Sequence, residues 1–324
     1  MNRLLFAALL TCATGAAADL AAPLGIDRDR ITVSGLSAGG QMAHQLHIAY
    51  SDVFSGAGLI AGGPFGCADG SLATAMARCI GKTDGPLPVA ELAARIRAAA
   101  AEGRVADIEN LADDRVWLFH GALDTIVASE VSAAAGAIYA EFVPTGQIVS
   151  VSDVPAGHNF PTRGQGHACA ASQPPFVGDC DYDAAGELLQ YLYPGLKAPA
   201  SETLSDLRQV DLPGAAAAGL GDTAFLYVPT QCAAGGPACA LHLVLHGCAQ
   251  STATVGMDFI EHSGYLPWAE ANGIVLAFPQ VVASATNPLG CWDWWGYTGP
   301  DYLWRDGPQM KVLADWVMDM AANR

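Results

Sequence analysis

Ile31-Thr32-Val33-Ser34-Gly35-Leu36-Ser37-Ala38-Gly39-Gly40 carries a short β-branched run into a G-x-S-x-G turn and out into a helical pattern. Such a turn exposes a serine hydroxyl at the end of a strand, with glycines allowing helix and sheet to approach closely. An idle serine in a tight turn is the alternative, and the strand before and helix after argue against it. Two hundred residues later the chain reads His246-Gly247-Cys248-Ala249-Gln250, a His-Gly loop of the kind that gives one amide of an oxyanion hole.

The loop normally precedes the serine, and here it follows. That inverted order reads as a circularly permuted α/β-hydrolase fold, with a mostly parallel central sheet and helices on both faces. The rest of the chain agrees. Strands are expected at Ile31–Ser34, Gly56–Ala61, Val116–Phe119, Ile148–Val151, Phe225–Val228, Leu241–Leu245 and Ile274–Phe278. Helical patterns alternate with them at Gln41–Tyr50, Val89–Glu102, Ser129–Glu141, Asp183–Tyr193, Phe259–Asn272 and Gln309–Ala322. The last has a stripe of Val312, Leu313, Trp316, Val317 and Met320. Placing Arg324 before Asp19 gives helix, short loop (Gly25-Ile26-Asp27-Arg28) and strand, an ordinary right-handed crossover. Pro194–Asp222, rich in proline and alanine, then becomes the joint between two former termini and carries at most one edge strand, near Leu207–Leu212.

Residues 1–18 read as an export signal: Arg3, the apolar run Leu4–Leu10, and Ala16-Ala17-Ala18 as the cleavage site. The run is too short for a bilayer, which takes about 20 apolar residues, and no later run is long enough. A lipidated Cys12 is disfavoured by Thr11 before it. Residues 19–324 are expected to form a single catalytic domain. The formal charge of −17 becomes −18 without Arg3 (14 basic minus 32 acidic residues), which disfavours nucleic acid and anionic membranes as partners. Eight cysteines remain after Cys12, an even set suited to disulfides in an exported chain. Eight allow on the order of a hundred pairings; neighbour pairing gives Cys67–Cys79, Cys169–Cys180, Cys232–Cys239 and Cys248–Cys291. Zinc is the rival use, but no C-x-x-C pair is present.

Ser37 is the expected nucleophile. Asp124, in the turn after Val116–Phe119, is the expected acid; Asp113 and Asp114 precede that strand and read as a solvated turn, and Asp153 crowds the candidate histidine. His158, glycine-flanked in a loop beyond Ile148–Val151, is the expected base, its ring oriented by Asp124. Ala38 and Cys248 would supply the oxyanion amides. His120 reads as packing at a strand end and His167 as a loop residue. His44 and His47, three apart on a helix, lack a third ligand and read as a half-exposed structural pair; His242 and His246 point different ways. No metal and no cofactor is expected. Cys291-Trp292-Asp293-Trp294-Trp295-Gly296-Tyr297 is dense in aromatics, and Trp292, Trp294, Trp295 and Tyr297 are candidate cleft residues, with a core cluster under the loop as the equal alternative.

With Gly-Leu-Ser-Ala-Gly-Gly, His-Gly-Cys-Ala-Gln and Cys-Trp-Asp-Trp-Trp in this permuted order, the chain resembles secreted poly(3-hydroxybutyrate) depolymerases of the permuted single-domain type. The resemblance implies a Ser37–His158–Asp124 triad, Cys248 at the oxyanion hole, and a cleft along Trp292–Trp295. It also implies a polyester or oligoester substrate, an extracellular or periplasmic setting and a monomer. Many such enzymes add a linker and a polymer-binding domain, and no such segment is read after the closing helix, so action on oligomers or amorphous polymer is a second expectation. Each motif alone is shared with feruloyl and acetylxylan esterases, which makes a carbohydrate esterase the runner-up and a serine peptidase a distant third. A non-catalytic binding protein of the same fold would usually lack a triad member.

Overall fold

The strand that feeds the elbow, β1 (Ile26–Leu36), lies inside the sheet, and from Ile31 onward every residue of it is buried. A strand covered on both faces needs apolar or small residues on both, which accounts for its nearly continuous run. A computed structural model describes residues 24–81, 86–199, 204–232 and 236–322. The expected export segment, Cys12 and the Arg324–Asp19 joint lie outside the described residues.

The main sheet has eight strands. β1 is followed by β2 (Gly56–Ile60), β3 (Arg115–Phe119) and β4 (Ile148–Val151), all parallel to their neighbours. A small three-stranded sheet comes next: β5 (Phe160–Thr162), β6 (His167–Ala168) and β7 (Val177–Asp179). The main sheet resumes with β8 (Leu207–Asp211), β9 (Thr223–Tyr227), β10 (Cys239–Leu245) and β11 (Ile274–Phe278). The spatial order is β4-β3-β2-β1-β10-β11-β9-β8, with β10 parallel to β1 and β11, and β9 antiparallel to both β11 and β8. Numbered from β8 and continued through the chain ends, the same sheet reads 8-7-6-5-3-4-2-1. The inversion seen in the sequence is therefore a shift of chain ends on an α/β-hydrolase sheet. β8 is the edge strand at the joint.

Two apolar cores flank the sheet. One lies under the helix Ala38–Ala49, an insertion carrying the Cys67–Cys79 disulfide and the helix Val89–Ala101, and the closing helix Pro308–Ala322. The other lies under Ala184–Leu192 and Tyr265–Asn272. Three expectations need correction here. Ile26–Arg28 is strand rather than loop: Ile26 pairs with Cys239, an irregularity follows, and the charged Asp27-Arg28-Asp29 ride on the exposed stretch that imitates a turn. The helix expected at Phe259–Asn272 is two, Asp258–His262 and Tyr265–Asn272, divided at Gly264, whose φ of 88° no helix continues through. On the closing helix Met310 is buried while Val312 is only partly so.

His44 and His47 are not half-exposed. All twelve residues of Ala38–Ala49 are buried, because the insertion covers the helix. The His44 ring stacks on Tyr139 at 4.3 Å, and burial lowers its pKa to about 3, against the raising effect of its bond to the Gly63 carbonyl. His47 Nε2 lies 3.0 Å from Asp114, which is therefore buried and engaged rather than solvated.

Arg28 Nε donates to the Ala321 carbonyl at 3.4 Å, so the end of the closing helix lies beside the start of β1. A short linker between residues 324 and 19, with new ends opened between Pro199 and Leu204, should thus give a chain that melts cooperatively. Its ester turnover should stay within about tenfold of the parent, since joints of this kind tolerate relocation. Circular dichroism melts across several linker lengths check this; failure to fold at every length would contradict the assigned topology.

Candidate active site

Ser37 ends β1 with φ 58° and ψ −118°, a conformation that costs on the order of 1–3 kcal/mol for a non-glycine residue and must be held by its surroundings. Its N–H donates to the Ile60 carbonyl at 2.8 Å, and its carbonyl accepts from Gln41 N–H at 2.9 Å, the first bond of the helix. A Cβ at position 35 would enter the Gly39 backbone, and one at position 39 would enter the Leu245 and His246 carbonyls. Only glycine at both lets the helix begin against the end of β10. Ala38 opens that helix, so its N–H has no acceptor one turn earlier within it.

Asp124 follows β3 and His158 follows β4, both at the carboxyl edge where Ser37 sits, the edge at which open α/β sheets bind ligands. His158 Nδ1–H donates to Asp124 Oδ2 at 2.7 Å, while Asp124 Oδ1 accepts from the Ile126 and Val127 amides at 2.8 and 3.0 Å. Burial pushes the Asp124 carboxyl up, but the bond to His158, the His158 charge and the two amide bonds outweigh it and hold the carboxyl below its usual range. The histidine loop is fixed in turn. The His158 amide donates to Ser172 Oγ at 2.8 Å, and Asn159 Nδ2 donates to the Cys169 and Ala171 carbonyls, beside the Cys169–Cys180 disulfide.

The Cys248 loop is held from every side. Gln250 Oε1 accepts the Gly247 N–H at 2.6 Å and its Nε2 donates to the Pro175 carbonyl at 2.8 Å, clasping the loop to the segment before β7. Ala249 N–H donates to the Leu289 carbonyl at 2.6 Å, and Cys248 is bonded to Cys291. His246 Nε2 accepts the Val281 N–H, which leaves the proton on Nδ1 to donate to the Gly247 carbonyl at 2.7 Å. That carbonyl and the Cys248 N–H belong to one planar trans peptide and point oppositely, so the histidine also sets the direction of the amide. Burial lowers the His246 pKa to about 4, with its bond to Gly247 opposing, so the ring is neutral over most of the working range.

Ser37, His158 and Cys248 line one cavity of about 420 Å³. Trp294 and Trp295 form part of its wall, and the Trp294 indole N–H is buried without a partner among the described residues. Trp292 and Tyr297 are not in the wall. Trp292 is fully buried and donates to the His246 carbonyl at 2.9 Å; Tyr297 donates to the Cys291 carbonyl at 2.8 Å. The wall also includes Leu72, Met76 and Ile80 from the insertion with Ile126 and Val127 beside Asp124, residues for which the sequence reading gave no role. The Cys67–Cys79 pair that closes the insertion was the available signal. The structure also joins Cys232 to Cys239, so its four disulfides are the four neighbour pairs.

No family model matches the chain. It is similar to a poly(3-hydroxybutyrate) depolymerase of Delftia acidovorans, 41% identical over 315 residues that make up 95% of this chain and 63% of the relative; the chain thus spans under two thirds of that protein. A polyhydroxybutyrate depolymerase of Talaromyces funiculosus is 34% identical over 315 residues, 92% of this chain and 91% of that one. Among solved structures, a PHB depolymerase from Penicillium funiculosum superposes with a TM-score of 0.86 at 33% identity, covering 92% and 98% of the two chains. A serine-to-alanine PHB depolymerase complexed with an R3HB trimer superposes with a TM-score of 0.87 at 32% identity, covering 93% and 98%.

The depressed Asp124 carboxyl gives a signed prediction. Its stabilising effect, about 1.5–3 kcal/mol for a buried charged hydrogen bond, is present above the ordinary carboxylate range and is lost as pH falls through the lower folded value. The stability gap between the parent and Asp124→Asn should be present at about pH 5 and shrink below about pH 4. Urea titrations at several pH values measure it, and a gap that fails to shrink below about pH 4 would contradict the assignment.

Proposed function

Because the chain belongs to the poly(3-hydroxybutyrate) depolymerase family, we propose that it is a serine esterase that hydrolyses poly(3-hydroxybutyrate) or its oligomers at the Ser37 site. The observation that carries this reading is the meeting of Ser37 and His158 in one apolar cavity, with Asp124 bonded to the far nitrogen of the histidine.

His158 Nε2 takes the Ser37 proton as Oγ bonds to the ester carbonyl carbon. The resulting oxyanion is received by the Ala38 and Cys248 N–H groups, each worth about 3 kcal/mol of barrier. The tetrahedral intermediate collapses, the bond to the hydroxyalkanoate oxygen breaks, and the imidazolium returns its proton to that oxygen. Water then attacks the acyl-enzyme by the same route, His158 taking the water proton and giving it back to Ser37 Oγ as the acid leaves. Asp124 stabilises the imidazolium throughout. Trp294 and Trp295 with the insertion residues give the repeating methyl groups an apolar wall.

The nucleophile, base, acid, oxyanion loop and cavity wall all come from one chain, which supports a working monomer of one catalytic domain, residues 19–324, after removal of 1–18. Four disulfides support export to the periplasm or medium. No helix among the described residues is long and apolar enough to cross a membrane.

Parallel assays on amorphous polyhydroxybutyrate, hydroxybutyrate oligomers and methyl ferulate test the reading: the first two should be cleaved and the third spared. Ser37→Ala and His158→Ala should each lower kcat by about 10⁴-fold with folding intact, and near-normal turnover in either would refute the assignment. Replacing Cys248 and Cys291 together should lower stability by about 2–4 kcal/mol. It should also reduce kcat more than it raises KM, since the amide they hold acts on the transition state. Equal turnover in the double variant would show that the disulfide has no part in holding that amide.

A further inference from the structure

Among the described residues the cavity wall holds no fixed cation that could pair with a carboxylate, and this bears on which ester bonds the site accepts. Among the described residues its wall has no Asp, Glu, Lys or Arg. Its polar groups are largely engaged already. Both ends of the Asn287 amide bond to Cys291, at 2.7 Å to the carbonyl and 2.9 Å from the amide, and the His158 ring is turned onto Asp124. The donors left without a partner among the described residues, the Ser37 hydroxyl, the Cys248 amide and the buried Trp294 N–H, are all neutral. A neutral N–H satisfies an ester carbonyl but leaves the charge of a carboxylate uncompensated.

Among the described residues three arginines outside the wall are committed to carboxylates. Arg95 and Arg305 pair with Asp69 and Asp52 at 2.9 Å, and Arg104 with Asp301 at 3.4 Å. Arg78, between Met76 and Ile80 in sequence, is exposed and stands outside the wall. The Asp124 carboxylate, fully covered behind His158, adds fixed negative charge at the site, and the whole chain carries a formal −17.

We propose that the cleft selects against a free carboxyl terminus: it takes ester-linked units on both sides of the scissile bond and disfavours the last ester before an ionised chain end. The proposal rests on the esterase reading above and specifies the substrate of that site. Two effects of different range act together. Burying the terminal carboxylate against Leu, Met and Trp side chains costs desolvation that salt does not relieve. Repulsion from the net negative chain is long-ranged and screened over about 10 Å at 0.1 M salt. The same two effects favour departure of the acid once deacylation has made it an anion.

The test compares the free acid and methyl ester of hydroxybutyrate dimer and tetramer near neutral pH, with release of methyl 3-hydroxybutyrate marking cleavage of the bond between units in the dimer ester. For the dimer, kcat/KM of the free acid should be about tenfold or more below that of the ester. The ratio should narrow several-fold but not vanish when salt is raised to about 0.5 M. Internal bonds of the tetramer should be cut at the same rate in both forms at about 0.5 M salt, where the long-range repulsion is screened. Met76→Lys and Leu289→Lys, exposed wall positions on two separate chain segments, should in at least one case move the dimer ratio toward parity. Parity of acid and ester in the unmodified enzyme at high salt, with the tetramer cleaved, would overturn this inference alone, and so would a ratio unmoved by either lysine. No cleavage of any oligomer in either form would overturn the esterase reading and this inference with it.

Discussion

The Leu245 and His246 carbonyls occupy the space that a side chain at position 39 would need. This close approach of the helix after Ser37 to the end of β10 is the constraint on which the site depends. It lets the elbow turn at once, at φ 58°, and sets Ser37 beside the Cys248 loop rather than a strand's width away. The parallel pairing of β1 with β10, from Ile31 opposite Leu241 to Gly35 opposite Leu245, fixes the approach along the strands. The strain at Ser37 is sustained because both sides of the turn are anchored, by the Ile60 carbonyl before it and by the first helical bond after it.

Since the constraint lies between neighbouring strands, the position of the chain ends does not affect it. β1 precedes β10 by two hundred residues here, yet they pair as though the second led to the first, and β11, the closing helix and β1 follow one another around the sheet. This is why the fold was legible in the sequence. Two short motifs in unusual order imply adjacent strands, and the proline-rich Pro194–Asp222 segment marks the old ends. The missed details share a cause. Asp27-Arg28-Asp29 look like a turn because they are charged, but exposure of side chains does not interrupt a strand whose backbone still follows its neighbour. Gly264 breaks a helix that apolar periodicity alone carries through.

The site was legible wherever chemistry and strand position coincide, as at Ser37, Asp124 and His158. It was not legible where a wall is made by packing. Trp292, Trp294, Trp295 and Tyr297 are equivalent in sequence, yet the Cys248–Cys291 bond and the Asn287 clasp orient the segment so that only the middle pair faces the cavity. Another part of the wall comes from an insertion whose Leu72 and Met76 look like loop residues until the Cys67–Cys79 bond folds them over the elbow.

The buried histidines show how the ring proposed as the base differs from those that only pack. His44, His242 and His246 are lowered to about 3, 3 and 4, in each case chiefly by burial. Their nitrogens serve neighbouring side chains or backbone, except His44 Nε2, which is buried without a partner among the described residues. His47 comes closer to such a pair, with a carboxylate of Asp114 at 3.0 Å, but its other nitrogen is spent on the Tyr139 hydroxyl and the ring is fully buried. His158 combines the two features that the others divide: a carboxylate fixed on one nitrogen by two backbone amides, and an open cavity on the side of the other, where Ser37 also lies. A histidine–aspartate contact alone would have identified three places among the described residues, the third being the exposed His262–Asp258 pair at 3.6 Å. The requirement that the imidazole also meet a hydroxyl across accessible space leaves one.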